Sequence, residues 1–546
     1  MNSFDFNFEI QKIFDKQFSN IQSTDWKKWL DISSKEEYEE FALKNSGLSS
    51  ISDIFKKIKK EKTNSKDLSV DLYSFLENHD VSEPLIVCHS SGTTNSDLSA
   101  LKWLHMSQDI IQRYWAPGMQ AIFESSGLNS KSSIVIFVPS RLKNDGINFY
   151  EEKSYISLYS SEFSQRLMLS IIKPFSYTLF EYKNSKNIEI ITKILSMDHI
   201  SAVSAPASTI LGWADIEKFQ IGLKNSLGHI KNVGDPLLET FLSKIKKKGI
   251  EGTAKEIQNL LSKKISKATV VFGISSLSEN EWEMIRNFMN WERGKEKFVN
   301  LYVASEIGPF AASITKDDYS FSRTGNLYVF PLTLPIIESK GKKELISRSK
   351  GKIGRLLISK LNESKPFINI DVGDIIKIVN QETLPQIEGK ILRSSFKLNY
   401  QIIVSNEIQL PSSFKVYAGD YFTFSNFEIY NPRYMLNCLK SNCSLDIDSI
   451  LLLNQNKIND AKWKLVLLSN GEKDCSNVED YRNILFKCIK NDDFKAKIKE
   501  NLINIQLIKE NPINFLATRS EMLNKVRKGK NPKGILKKWP LYVIEV

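Results

Sequence analysis

No stretch of this chain of 546 residues approaches the roughly 20 consecutive apolar residues that a helix needs to cross a bilayer. A membrane-spanning helix is therefore not expected. The N-terminus, Met1-Asn2-Ser3-Phe4-Asp5, has no basic segment followed by an apolar one, so no secretory signal is expected and the cytoplasm is the expected location. Cysteine is scarce. Five in a chain of this length, Cys88, Cys438, Cys443, Cys475 and Cys488, do not suggest a disulfide framework. Cys438 and Cys443 lack Cys-x-x-Cys spacing and a nearby histidine, which argues against a zinc site. Internal repeats and low-complexity segments are missing, which excludes solenoids and disordered arrays.

What is present is ordinary globular composition, 41% hydrophobic and 25% charged, enough to bury a large core over two to four domains. The net charge is +12. Such a balance suits nucleic acid, a membrane surface or a polyanionic small substrate. The Lys-rich stretch Lys244-Ile245-Lys246-Lys247-Lys248 lacks the basic and aromatic interleaving of nucleic-acid modules, so nucleic acid is not an expected partner.

Residues 1–83 read as amphipathic helices, such as Glu37–Lys44 and Ile51–Lys60. A strand is expected at Pro84–Cys88, a helix at Ser107–Ser126, and a strand at Ile134–Val138. Helix and strand then alternate through Ser161–Ile172, Tyr177–Glu181 and Ala202–Pro206. Such alternation implies a largely parallel sheet with helices on its faces. Residues 215–267 read as a helical, solvated insertion. The strand Ala268–Phe272 resumes the sheet, and shorter strands fill 299–305, 326–332, 353–359 and 374–379. From about 400 the texture changes: the strand-like runs Trp463–Leu468 and Ile503–Ile508 flank a helix over Val478–Lys490. The expected fold class is α/β. A large N-terminal domain (1–395) has mainly parallel sheets flanked by helices, and a small, mobile α+β domain covers 396–546.

Ser90-Ser91-Gly92-Thr93-Thr94-Asn95-Ser96 follows the first strand. Small hydroxyl residues around a glycine, hung on a strand end, can hold phosphate through hydroxyls and backbone N–H groups. An ordinary turn has the same composition. No Gly-Lys follows, so this is not a P-loop. Four more segments occur downstream: Val203–Ser208, Val271-Phe272-Gly273 into Glu279, Leu301-Tyr302-Val303-Ala304-Ser305-Glu306-Ile307-Gly308, and Asn369–Asp374 closing a strand. In open α/β sheets ligands bind at the carboxyl ends of strands.

In this order the segments resemble the adenylate-forming superfamily of acyl-CoA ligases, luciferases and adenylation domains. Ser91-Gly92-Thr93-Thr94 looks like that family's phosphate loop and Tyr302-x-x-Ser305-Glu306 like its Tyr-Gly-x-Thr/Ser-Glu motif. Val372-Gly373-Asp374 looks like its Thr-Gly-Asp motif, and the Gly273 turn like its adenine-side loop. The short segment before the loop, Asp109–Trp115 with Gly127-Leu128, and Gly419 through Phe427-Glu428 are most similar to the phenylacetate–coenzyme A ligase branch.

The resemblance implies ATP, Mg²⁺ and coenzyme A as reactants and cofactors, with a small carboxylic acid as substrate and a homodimer as the assembly. Thr93 and Thr94 would cradle the β- and γ-phosphates. Glu306, with Thr94, would hold Mg²⁺, and Asp374 would accept from ribose hydroxyls. A lysine of the small domain would neutralise charge at the α-phosphate. Lys530 is the first choice and Lys533 the second. Arg393 in Gly389-Lys390-Ile391-Leu392-Arg393 would meet phosphate or ribose. The acid would sit between 203–210, the Gly273 turn and 302–308, with Trp213 and Phe310 as lining or as core.

Departures are visible. Asn95 replaces the loop's second glycine, and Val303 the glycine after Tyr302. Counts from Asp374 and from Gly419 place the hinge motif at Arg393 and at Leu410–Ser413 respectively, which implies an insertion between them. Transfer to an amine or a carrier protein, and a catalytically inactive nucleotide-binding descendant, remain alternatives. In bland readings Glu306 is a helix N-terminal charge and Asp374 a turn residue.

Overall fold

The computed structural model describes residues 8–18, 20–21, 37, 40–41, 43–44, 50–60, 70–78, 84–89, 103–105, 107–141, 145–230, 234–273, 279–304, 307–312, 327–345, 352–361, 367–377, 386–393, 396–397, 402–404, 414–424, 427–430, 432–442, 447–454, 463–469, 478–489, 492–500, 502–508, 513–515 and 539–545. The chain is α/β, as its pattern of elements implied. Twelve strands form the main sheet. Five of them run parallel, in the spatial order Ser176–Glu181, Ser133–Val138, Ala202–Ser204, Thr269–Gly273 and Phe298–Ala304. Helices Ile188–Ser196, Ala207–Ala214, Ile216–Leu227, Pro236–Ile265 and Glu279–Met289 lie in the connections.

Successive side chains of a strand point to opposite faces, and Ser133–Val138 shows the consequence. Ile134, Ile136 and Val138 enter one apolar cluster, while Val135 and Phe137 enter another. A sheet covered on both sides needs strands that are apolar at every position, which is why Ile-Val-Ile-Phe-Val is legible as a strand. The remaining seven strands, from Gly308–Ala312 to Lys342–Leu345, pair antiparallel.

A separate four-stranded sheet has the order Trp103–His105, Leu85–His89, Lys153–Tyr159, Gly146–Tyr150. The hairpin formed by its last two strands carries no sequence signal, because its two-residue turn is Glu151-Glu152, with Glu151 at φ 52°, rather than the Asn-Gly or Asp-Gly that such turns favour. The expected helix at 107–126 is present, but its backbone widens into a π turn over Ile111–Trp115.

The helices of 215–267 differ from the solvated insertion expected. Lys246, Lys247 and Lys248 are exposed, yet Phe219, Leu223, Leu238, Phe241, Ile257, Leu261 and Ile265 are fully buried in the second cluster. The lysines hide an apolar stripe that covers the parallel strands. Among the described residues no helix is long and apolar enough to cross a membrane.

Past Arg393 six strands form another sheet, ordered Phe396–Lys397, Lys415–Ala418, Leu541–Glu545, Ile447–Asn454, Trp463–Ser469, Ile503–Ile508, beside two two-stranded pairs. Trp463–Ser469 and Ile503–Ile508 are parallel, with helix Val478–Cys488 between them in sequence. Helix Pro432–Asn442 is joined to that helix by a disulfide, Cys438–Cys488, with a Cα separation of 5.5 Å. The cysteines suggested no disulfide framework, and this single bridge was not legible in the sequence, since a spacing of 50 residues says nothing about proximity. A bridge over such a loop stabilises by up to about 4 kcal/mol in the chain-entropy account. Thermal unfolding with dithiothreitol should therefore show this region melting earlier, and Cys438→Ser should melt early with or without it. Equal melting of oxidised and reduced protein would show that the bridge contributes nothing.

Candidate active site

The residues named from sequence divide into two groups. Ser91, Gly92, Thr93, Thr94, Ser305, Glu306, Lys530 and Lys533 lie outside the described residues. Tyr302 and Asp374 are described in full, and Gly273 and Arg393 by their backbones.

Tyr302 and Asp374 meet. The Tyr302 hydroxyl donates to Asp374 Oδ2, and both residues are buried. Their strands, Phe298–Ala304 and Phe367–Lys377, are not neighbours in the sheet; three others lie between them in its order. The contact therefore depends on how Asp374 is aimed. Leu357 pairs with Asp371 and Arg355 with Ile375, so the segment Val372-Gly373-Asp374 bulges out of register. Gly373 stands at φ 78° and donates its N–H to Asp371 Oδ1 at 2.9 Å. A bulge of this kind re-aims a side chain, and only glycine takes that backbone conformation without strain. This corrects the expectation that Asn369–Asp374 closes a strand: Asp374 sits inside a long one, at an irregularity.

Neighbours complete the locus. Gly273 pairs with Leu301, one residue from Tyr302. Phe310 is fully buried with its ring 4.3 Å from that of Tyr302. Arg393 pairs with Asp374 across antiparallel strands. Ala205 N donates to Val271 O at 3.0 Å, which ties the start of helix Ala207–Ala214 to the same strand ends. Trp213 does not line this locus. It is fully buried against Phe137 in the second cluster and donates to Ser185 O at 2.8 Å. On either side of residues 305–306 the chain is antiparallel hairpin, with Ala304 paired to Gly308. Glu306 itself lies outside the described residues; the described residues after it are Ile307 and the strand Gly308–Ala312.

Sequence reasoning did not find the supports. His89 and Trp103, on either side of the Ser-Gly-Thr-Thr loop, are an antiparallel pair, so the loop's two ends are anchored side by side. His89 Nε2 lies 2.8 Å from Asp145 Oδ1, both buried. Gly308, at φ 74°, sits where an added Cβ would come within 2.3 Å of the Trp115 ring. That places Trp115 of the π turn directly under the hairpin that carries Tyr302. A glycine two residues after Ser305-Glu306 was the only sequence trace.

Glu162 and Lys360 are further buried ionisable groups. Burial raises the pKa of the Glu162 carboxyl, but Arg141 and Arg166 outweigh it and hold it below the ordinary value. Its oxygens are engaged by Arg141 Nε at 3.0 Å and Arg166 Nε at 2.9 Å, a structural arrangement rather than a reactive one. Lys360 is fully buried and pushed down to about 7 by desolvation alone. Among the described residues no group of three or more His, Cys, Asp or Glu could hold a metal.

No family model and no curated protein matches the chain. Among solved structures, it is similar to the AtGH3.15 acyl acid amido synthetase in complex with 2,4-DB. Identity there is 11%, coverage 92% of this chain and 87% of that one, and the TM-score 0.44. It is also similar to 2-hydroxyisobutyryl-CoA ligase in the postadenylation state, at 11% identity, 97% and 88% coverage and TM-score 0.46. A third is O-succinylbenzoate coenzyme A synthetase from Bacillus subtilis in complex with AMP, at 10% identity, 83% and 68% coverage and TM-score 0.42.

Proposed function

We propose that the chain is an ATP-dependent carboxylate ligase of the adenylate-forming kind, most like the phenylacetate–coenzyme A ligase branch. The substrate carboxylate oxygen attacks the α-phosphorus of ATP, the bond to the β-phosphate oxygen breaks, and pyrophosphate leaves. A thiol, coenzyme A in this reading, then attacks the acyl carbon and AMP leaves. The observation that carries the reading is the Tyr302–Asp374 hydrogen bond, which unites two motif segments from distant parts of the chain at one buried point. A buried carboxylate held by a tyrosine suits ribose hydroxyl donors. Arg393, opposite Asp374 in register, would meet phosphate or ribose. Thr93 and Thr94 would serve the phosphates, Thr94 and Glu306 Mg²⁺, and Lys530 or Lys533 the α-phosphate. The change of sheet between Arg393 and Phe396 supports a large unit of 1–395 and a mobile unit of 396–546.

Acid-dependent ATP–pyrophosphate exchange across aryl, arylacetic and fatty acids tests this. Wild type should exchange with one class. Asp374→Ala should fall by about tenfold to a hundredfold, the usual worth of a hydrogen bond to a charged group, and Tyr302→Phe by less. Glu306→Ala and Lys530→Ala should both lose exchange; survival in Lys530→Ala moves that role to Lys533. Measurable ATP binding with no exchange for any acid would support the inactive descendant instead. Adding coenzyme A or amines to an exchanging protein separates the acceptors.

A further inference from the structure

The parallel strands have a second end. Phe298–Ala304 spans about 20 Å at the usual rise, and at its amino end, away from Tyr302, there is a groove of about 550 Å³, within the size range of small-molecule sites. Its floor is the starts of adjacent strands. Ser201 N donates to Ser133 O at 2.8 Å, Thr269 N to Ser201 O at 2.9 Å, and Val270 N to Lys297 O at 2.8 Å. The sheet itself therefore fixes the floor's geometry.

The lining is cationic. Lys131, Lys267, Lys295 and Lys297 come from three separate connections and converge on it. The single carboxylate among the described lining residues, Glu296, is already engaged by Arg286 Nε at 3.0 Å and by Gly294 N at 2.8 Å. Lys295 pairs with Glu292 at 2.6 Å. Lys131, Lys267 and Lys297 have no ion-pair partner among the described residues. Like charges gathered around a concave surface repel one another, and a bound polyanion relieves that repulsion. Among the described residues the lining holds hydroxyls, Ser201 and Thr269 among them, but no phenylalanine, tyrosine or tryptophan and a single aliphatic side chain, Leu128. That rules against an apolar acid and against the stacking platforms of single-stranded nucleic acid.

We infer that this groove binds a small, multiply charged phosphate-bearing molecule, held by Lys131, Lys267 and Lys297 over the Ser201 and Thr269 floor. A ligand here lies at the amino end of strand Phe298–Ala304, away from Tyr302, so it is not a reactant at that point. The inference does not depend on the proposed reaction.

Inorganic tripolyphosphate is titrated into the full chain by calorimetry at low and moderate salt. Replacing Lys131, Lys267 and Lys297 together by glutamine should weaken binding by about tenfold or more and flatten its salt dependence. These exposed side chains are unlike core residues, so the variant should melt with the wild type. Pyrophosphate exchange should remain within about twofold, since charge at the far end of the strands is screened beyond roughly 10 Å. Lys246→Gln, Lys247→Gln and Lys248→Gln together make the same charge change elsewhere and should leave the titration unaltered. Unchanged binding in the groove variant, or equal loss in both variants, overturns the inference.

Discussion

Gly308→Ala should cost about 3–5 kcal/mol of stability, the sum expected from overpacking and from a left-handed backbone that an L side chain adopts only under strain. The added methyl would meet Trp115 Cε2, Nε1 and Cδ2 at 2.3–2.6 Å, and the backbone stands at φ 74°. The Trp115 ring cannot retreat. Trp115 and Phe310 are completely buried, and the Trp115 ring is wedged against Phe163, 5.1 Å between centroids. Urea unfolding measures the loss. Trp115→Leu opens the space, so the double variant should be markedly more stable than the two single losses added together, leaving only the backbone strain. Strict additivity would show that the two residues do not meet. Because Gly308 pairs with Ala304 in the hairpin of Tyr302, Gly308→Ala should also impair exchange at temperatures where the protein is still folded.

Lys360→Met should stabilise the chain by about 3–4 kcal/mol near pH 7. Lys360 ends a strand completely buried, with Nζ donating to Thr333 Oγ1 at 2.9 Å, and its pKa is lowered from 10.5 to about 7. In the unfolded chain the amine keeps its proton up to its ordinary value; in the folded chain it gives it up near 7. Between those limits the unfolded state binds more protons, so wild-type stability rises with pH by about 1.4 kcal/mol per unit from this group. Methionine abolishes that dependence and fills the volume, at the cost of Thr333's donor. The gain should be largest at neutral pH and below, and should vanish as pH approaches 10. Unfolding at pH 7, 8, 9 and 10 checks the trend, and a gain independent of pH would exclude desolvation as its cause.

The legible parts of this chain are those where one physical rule acts alone. Ile134–Val138 and Val270–Val271 are apolar at every position because both faces are covered, and Ser160–Ile172 and Ile51–Lys60 carry unbroken helical spacing. The illegible parts depend on contacts distant in sequence. The Glu151-Glu152 turn has no turn chemistry of its own and is imposed by the pairing of its strands. The helices over 216–265 show lysine first and their buried stripe only once a sheet lies beneath. In the candidate site, Tyr302 and Asp374 could be named from their motifs. The bulge that turns Asp374 toward Tyr302, and the indole beneath Gly308, could not, because register and close approach leave no mark on composition.

The strand Leu541–Glu545 lies inside its sheet, antiparallel to Lys415–Ala418 on one side and parallel to Ile447–Asn454 on the other. Without it, that sheet is two pieces. During synthesis, Lys415–Ala418 and Ile447–Asn454 therefore emerge long before the strand that joins them, and each must wait with an open edge. Pairing over such separations is slow, and unpaired edges invite association with other chains. The region beyond Arg393 should be the last to fold and the first to aggregate when expression is fast, so slower translation should raise the soluble yield.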